Sequence, residues 1–121
     1  MNLVMKDIDK RINIVNTLIV EMISYYFTKE YCIGADRAYA IMDIYKECKK
    51  PLNKNFKKTY DISYKYRAKI NKIINEKNKD YNEVNKALKK IKVTRKEYEF
   101  LLKTCIQAQQ SIREVYVEPF N

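Results

Sequence analysis

The chain has no histidine, no tryptophan, one glycine, two prolines and three cysteines among its 121 residues. Lacking histidine, it has no side chain whose ordinary pKa moves a proton near neutral pH. Cys32, Cys48 and Cys105 are odd in number and show no C-x-x-C spacing. That argues against a disulfide framework and for a reducing compartment. Zinc has no ligand set here, and no metal or cofactor is expected. Cysteine nucleophiles need an adjacent base, and the i, i+2 carboxylates Asp7/Asp9 and Glu97/Glu99 point apart on a helix. No enzyme activity is expected.

The shortage of Gly34-type residues bears on fold. Hairpins need Gly, Pro, Asn or Asp at special backbone angles, so a strand-rich fold is disfavoured and helices joined by short polar loops are favoured. No apolar run approaches the ~18 residues of a membrane span. The opening MNLVMKDIDKRINIVN carries charges where a signal peptide needs its apolar core. The expectation is a cytoplasmic chain (nuclear in a eukaryotic host) without integral membrane association.

What the chain has in excess is positive charge. It carries 25 Lys and Arg against 15 Asp and Glu, for a net +10. Residues 51–103 hold 16 of the cations and 6 of the acids, so the whole excess lies there. Such a segment is an electrostatic footprint for a polyanion, an acidic protein or anionic lipid. Ile, Lys, Asn and Tyr supply 57 residues and Ala only 6, a bias matching AT-rich codons, which inflates lysine on its own. Hydrophobic content of 46% is enough for a core.

Periodicity predicts one domain over 1–121: an all-α antiparallel bundle of four to five helices, with a long first and a short fourth helix. Near-neutral helices fill 2–49, a linker 50–55, basic helices 56–116 and a tail 117–121. The first helix reads as about 2–31, with Ile8, Ile12, Val15, Leu18, Ile19, Met22 and Tyr26 on one stripe. It would span ~42 Å at 1.5 Å per residue, long enough to suggest a homo-oligomer formed through it. Gly34 suits the end of that helix, and Asp36 suits the cap of a second at 37–49. A third helix is expected over 56–75 with Phe56, Tyr60, Tyr64, Ile70 and Ile74 inward. A fourth, capped by Asp80, covers 81–91 with Tyr81, Val84, Leu88 and Ile91 inward. Thr94 and Glu97 form a capping box for a fifth running to about 116, with Val115 among its inward positions.

The candidate binding residues are lysines. Lys58, Lys65, Lys69 and Lys72 fall on one side of the third helix, and Lys86, Lys89 and Lys90 on the outer side of the fourth. Arg95 and Lys96 open the fifth. Residues 81–102 also have the outline of a helix-turn-helix, which would put Arg95, Lys96 and Glu99 at a recognition-helix start. Tyr66 is the candidate for base stacking, and Phe100, off the buried face, the candidate interface residue. The functional expectation is a non-catalytic module that binds RNA or DNA, or sits in a ribonucleoprotein, through this basic face. The alternative is a protein-interaction factor of phage or mobile-element type. Its basic face would dock an acidic partner or act on a nucleic-acid-binding one.

Overall fold

A computed structural model describes residues 3–78 and 80–117, and the side chains of 7–78 and 80–114. Among the described residues there are five α-helices and no strands: α1 (Leu3–Thr28), α2 (Tyr31–Glu47), α3 (Lys54–Glu76), α4 (Tyr81–Lys89) and α5 (Arg95–Val117). The expected tail beyond 117, the Val115 side chain and Lys79 lie outside the described residues.

The chain stops its helices without glycine. Lys29, Lys49 and Asn78 take φ of 61°, 60° and 52° at the ends of α1, α2 and α3. At the first of these, the Lys29 amide donates to the Tyr26 carbonyl and the Glu30 amide to the Tyr25 carbonyl. This is a Schellman closure, in which an αL residue turns the chain back over its last carbonyls. It ends α1 three residues before the expected boundary and lets α2 begin at Tyr31. Gly34 and Asp36 therefore lie inside α2, neither ending one helix nor capping the next.

Gly34 serves packing instead. The Tyr98 ring lies against it so closely that a Cβ built there would sit 2.0 Å from the Tyr98 oxygen. Tyr98 is fully buried, and its hydroxyl donates to the Met22 carbonyl at 2.6 Å. One phenol thus ties α5 to α1 across α2. Asp36 sits in the α2–α3 seam, where it accepts from Arg67 at 2.7 Å and pairs with Arg37 at 3.2 Å.

Helix α2 is the hub and packs against all four others. Its Ala35, Ala38, Ile41 and Met42 are fully buried, and the two alanines let neighbouring backbones come close. Pairings such as Tyr26–Glu99 and Asn16–Gln109 run α1 antiparallel to α5. Thr59–Thr104 and Tyr66–Glu97 do the same for α3 and α5. The short α4 packs on α3 and α2, while α5 packs on α1, α2 and α3. The α4–α5 segment is therefore not built as a helix-turn-helix pair, whose two helices must pack on each other.

Candidate polyanion-binding face

The Asn53 side chain accepts from the Phe56 amide at 2.8 Å and starts α3, an N-cap within the expected linker. The buried face of α3 is Phe56, Thr59, Ser63 and Tyr66. This is a correction to the expected stripe: Tyr60 is half-buried and Tyr64 is 55% exposed. The reason is the polar pairing in the α3–α5 seam. Thr59 and Thr104 share a hydrogen bond between their hydroxyls, and Ser63 donates to the Thr59 carbonyl at 2.7 Å. Small hydroxyl residues whose polar groups are satisfied sit where α3 and α5 approach, and the larger rings turn toward α2.

Lys58, Lys65, Lys69 and Lys72 are all exposed along one side of α3. The Lys58 ammonium lies 5.0 Å from the Phe100 ring centre. Those of Lys65 and Lys69 lie 5.0 and 5.6 Å from the Tyr66 ring centre. Cations over ring faces gain ~0.5–1 kcal/mol at exposed sites, a weak bias of three of the four lysines toward those rings. Lys58, Lys65 and Lys69 have no carboxylate partner among the described residues, whereas Lys72 reaches Glu76 at 3.9 Å.

The arginines behave differently. Arg11, Arg37, Arg67 and Arg95 each pair with a carboxylate, and Arg113 donates to the Asn16 side chain. Arginine's planar fork is spent on the fold. Lysine, a compact point charge, is left on the surface.

The remaining expected site residues divide. Lys86, Lys89 and Lys90 are exposed on and just after α4, with Lys86 3.9 Å from Glu83. Lys96 is exposed at the start of α5. Arg95 is committed to structure. Its Nε donates to the Tyr26 hydroxyl and to Glu99, both at 2.9 Å, and the same hydroxyl donates to Glu99. These bonds hold the Glu99 carboxyl below its usual range, the Tyr26 hydroxyl being the larger cause and Arg95 the next. Thr94 caps α5 by accepting from the Glu97 amide at 3.0 Å. The Glu97 carboxylate accepts from the Tyr66 hydroxyl.

Tyr66 is therefore no stacking platform. It is 3% exposed, and burial, then the bond to Glu97, pushes its phenol well above the ordinary range. Phe100 is half-buried against the core beneath Lys58, not a free contact. Two rings assigned inward from sequence are exposed instead: Tyr81, 78% exposed, and Tyr64, which lies 5.7 Å from the Tyr39 ring. The signal for Tyr64 was present. Thr59, Ser63, Tyr66 and Ile70 alternate in steps of four and three, and that row leaves Tyr64 well off the buried face.

A second surface differs in character. On α1, Val20, Ile23 and Phe27 are 65%, 39% and 76% exposed. An open groove of about 430 Å³ beside Tyr26 is lined by Leu102 and Ile106 of α5. No helix among the described residues is long and apolar enough to cross a membrane. No protein-family model, no curated protein and no solved structure matches this chain.

Proposed function

We propose that the chain is a non-catalytic nucleic-acid-binding module whose lysine row on α3 neutralises phosphates. The observation that carries this reading is the division of labour among the cations. The arginines are bonded into the fold, while Lys58, Lys65 and Lys69 lie near aromatic rings without a carboxylate partner among the described residues. The row from Lys58 to Lys72 covers ~21 Å of helix. Duplex DNA offers about one negative charge per 1.7 Å of its axis, more than enough to occupy every lysine. Lysine reads charge rather than base edges, so binding should be strongly salt-dependent and nearly indifferent to sequence. Lys86, Lys89, Lys90 and Lys96 extend the same electrostatic field, and the partner is RNA or DNA.

The test is fluorescence anisotropy with single- and double-stranded DNA and RNA from 50 to 200 mM salt. Replacing Lys58, Lys65 and Lys69 together by Gln should leave the helical spectrum intact, because all three are exposed. It should flatten the salt dependence by about 2–3 units of log K per log salt, near 0.9 for each lost phosphate contact. No binding of any of the four at 50 mM salt would refute the proposal.

A second reading, a protein-interaction factor, is favoured by one observation: the exposed apolar strip of Val20, Ile23 and Phe27 on α1. Under it, purification at low salt followed by nuclease treatment should leave a stoichiometric protein partner. Light scattering separates such a partner from self-association through α1.

A further inference from the structure

Where the α1–α2 turn meets the end of α4, the structure holds a cavity of about 340 Å³. Its inner wall is apolar, made by Tyr31, Cys32, Leu88, Ile91 and Val93. Cys32 and Leu88 are buried, while Tyr31, Ile91 and Val93 are half-buried. The solvent end is cationic. Lys29, Lys89 and Lys92 all line it and all are exposed. None of the three has a carboxylate partner among the described residues. One acid, Glu30, lines the same cavity and accepts from the Thr28 hydroxyl at 2.8 Å, so the lining carries three cations against one carboxylate.

We propose that this cavity binds a compact amphiphilic anion, its aromatic or short acyl body seated against the apolar wall and its acidic head held among Lys29, Lys89 and Lys92. The volume is at the small end of ligand pockets, which run ~300–1,000 Å³, and that limits the body to about three small rings or a short chain. The lining is amphiphilic, with apolar side chains and charged or polar groups in comparable share, and so matches a ligand that carries both characters. Charge selects the head. Three lysines from the α1–α2 turn, α4 and the α4–α5 loop line one cavity, and their positive charge favours an anionic head. The half-buried Asn85 amide, also in the lining, has no side-chain hydrogen bond among the described residues and adds a donor and an acceptor. Cys32 belongs to the wall as an apolar group rather than a nucleophile. Burial pushes its thiol up to about 11, against the opposing pull of Lys69.

The site shares Lys89 with the wider cationic surface of the nucleic-acid reading but none of the α3 lysine row, so it would stand if that row bound nothing.

The experiment titrates the full chain with anilinonaphthalene sulfonate, an aromatic anion that fluoresces in apolar surroundings. It follows fluorescence and backbone amide shifts together. The expected result is saturable one-to-one binding, with shifts gathered at residues 29–33 and 85–93. Lys89→Glu with Lys92→Glu, both at exposed positions, should weaken binding at least tenfold while the helical spectrum is kept. The uncharged analogue phenyl-naphthylamine should bind at least tenfold more weakly than the sulfonate. Val93→Trp should fill the cavity and abolish binding. Shifts gathered instead at Val20, Phe27 and Ile106 would overturn the proposal, as would an absence of saturable binding. So would equal affinity of the double reversal or of the neutral analogue.

Discussion

Replacing Gly34 by alanine sets helix propensity directly against packing. Gly34 is interior to α2, and there alanine is favoured over glycine by ~1 kcal/mol. On propensity alone the variant gains stability. Yet the new methyl would lie 2.0 Å from the Tyr98 oxygen and 2.5 Å from two of its ring carbons. A surface tyrosine would swing away. Tyr98 is fully buried, its ring centre 4.9 Å from that of Tyr31 and its hydroxyl bonded to the Met22 carbonyl at 2.6 Å. Overpacking a well-filled core costs ~1–3 kcal/mol, and displacing the hydroxyl forfeits a hydrogen bond worth ~1 kcal/mol. The net expectation is a loss of about 1–3 kcal/mol after the propensity gain is deducted. For a chain of this length that lowers Tm on the order of 10 °C. Urea and thermal unfolding followed by circular dichroism read both quantities. The same substitution in a Tyr98→Leu background, where the ring is gone, should reverse sign and stabilise. Tyr98→Phe removes only the oxygen and should rescue in part. An alanine variant as stable as the parent, or an equal effect in both backgrounds, would refute the claim that glycine is kept for the phenol.

Other expectations follow from the buried polar groups. Thr104→Val alone should cost ~1–2 kcal/mol, because it leaves the buried Thr59 hydroxyl without the one partner it has among the described residues. Thr59→Val should cost less, the Thr104 hydroxyl keeping its bonds to the Phe100 and Leu101 carbonyls. Replacing both should cost less than the sum of the two singles, as read by denaturant midpoints. Tyr66→Phe should destabilise by ~1–2 kcal/mol through the Glu97 carboxylate left unbonded. It should leave nucleic-acid affinity unchanged in anisotropy, because the ring beneath Lys65 and Lys69 remains; a large fall in affinity would restore a direct role for the phenol. Stability should fall between pH 9 and 11. Burial raises the Cys32 thiol from 9.0 to about 11, so in that window the folded chain holds a proton the unfolded chain has lost. The contribution is complete below pH 9 and vanishes as pH passes the folded value. Burial raises Cys105, Tyr66 and Tyr98 in the same direction. Urea midpoints should drop across the window and drop less steeply in Cys32→Ala, and a flat profile would contradict the burial argument.

Composition and period by themselves determined the class of this protein. Scarce glycine and five stretches of 3.6-residue repeat leave little but helices. The α4 cap at Asp80 and the Thr94 cap of α5 were legible because capping is local chemistry between a side chain and an amide three residues on. The lysine side of α3 was legible too, since a charged row stays at the surface wherever the helix packs. Tertiary structure decided the rest. The α1–α2 break was hidden because Lys29 fills the αL position that glycine usually marks, and the one glycine was placed by a tyrosine 64 residues further along the chain. The phase of α3 was set by its partners: Thr59 bonds Thr104 and Tyr66 bonds Glu97 on α5, while Tyr60 and Tyr64 lie beside Tyr39 of α2. The convergence of Lys29, Lys89 and Lys92 around one cavity has no sequence signature, since they come from separate segments. Local rules act through neighbours along the chain, whereas close approach and shared cavities depend on which surfaces meet, and that is settled only when the helices pack.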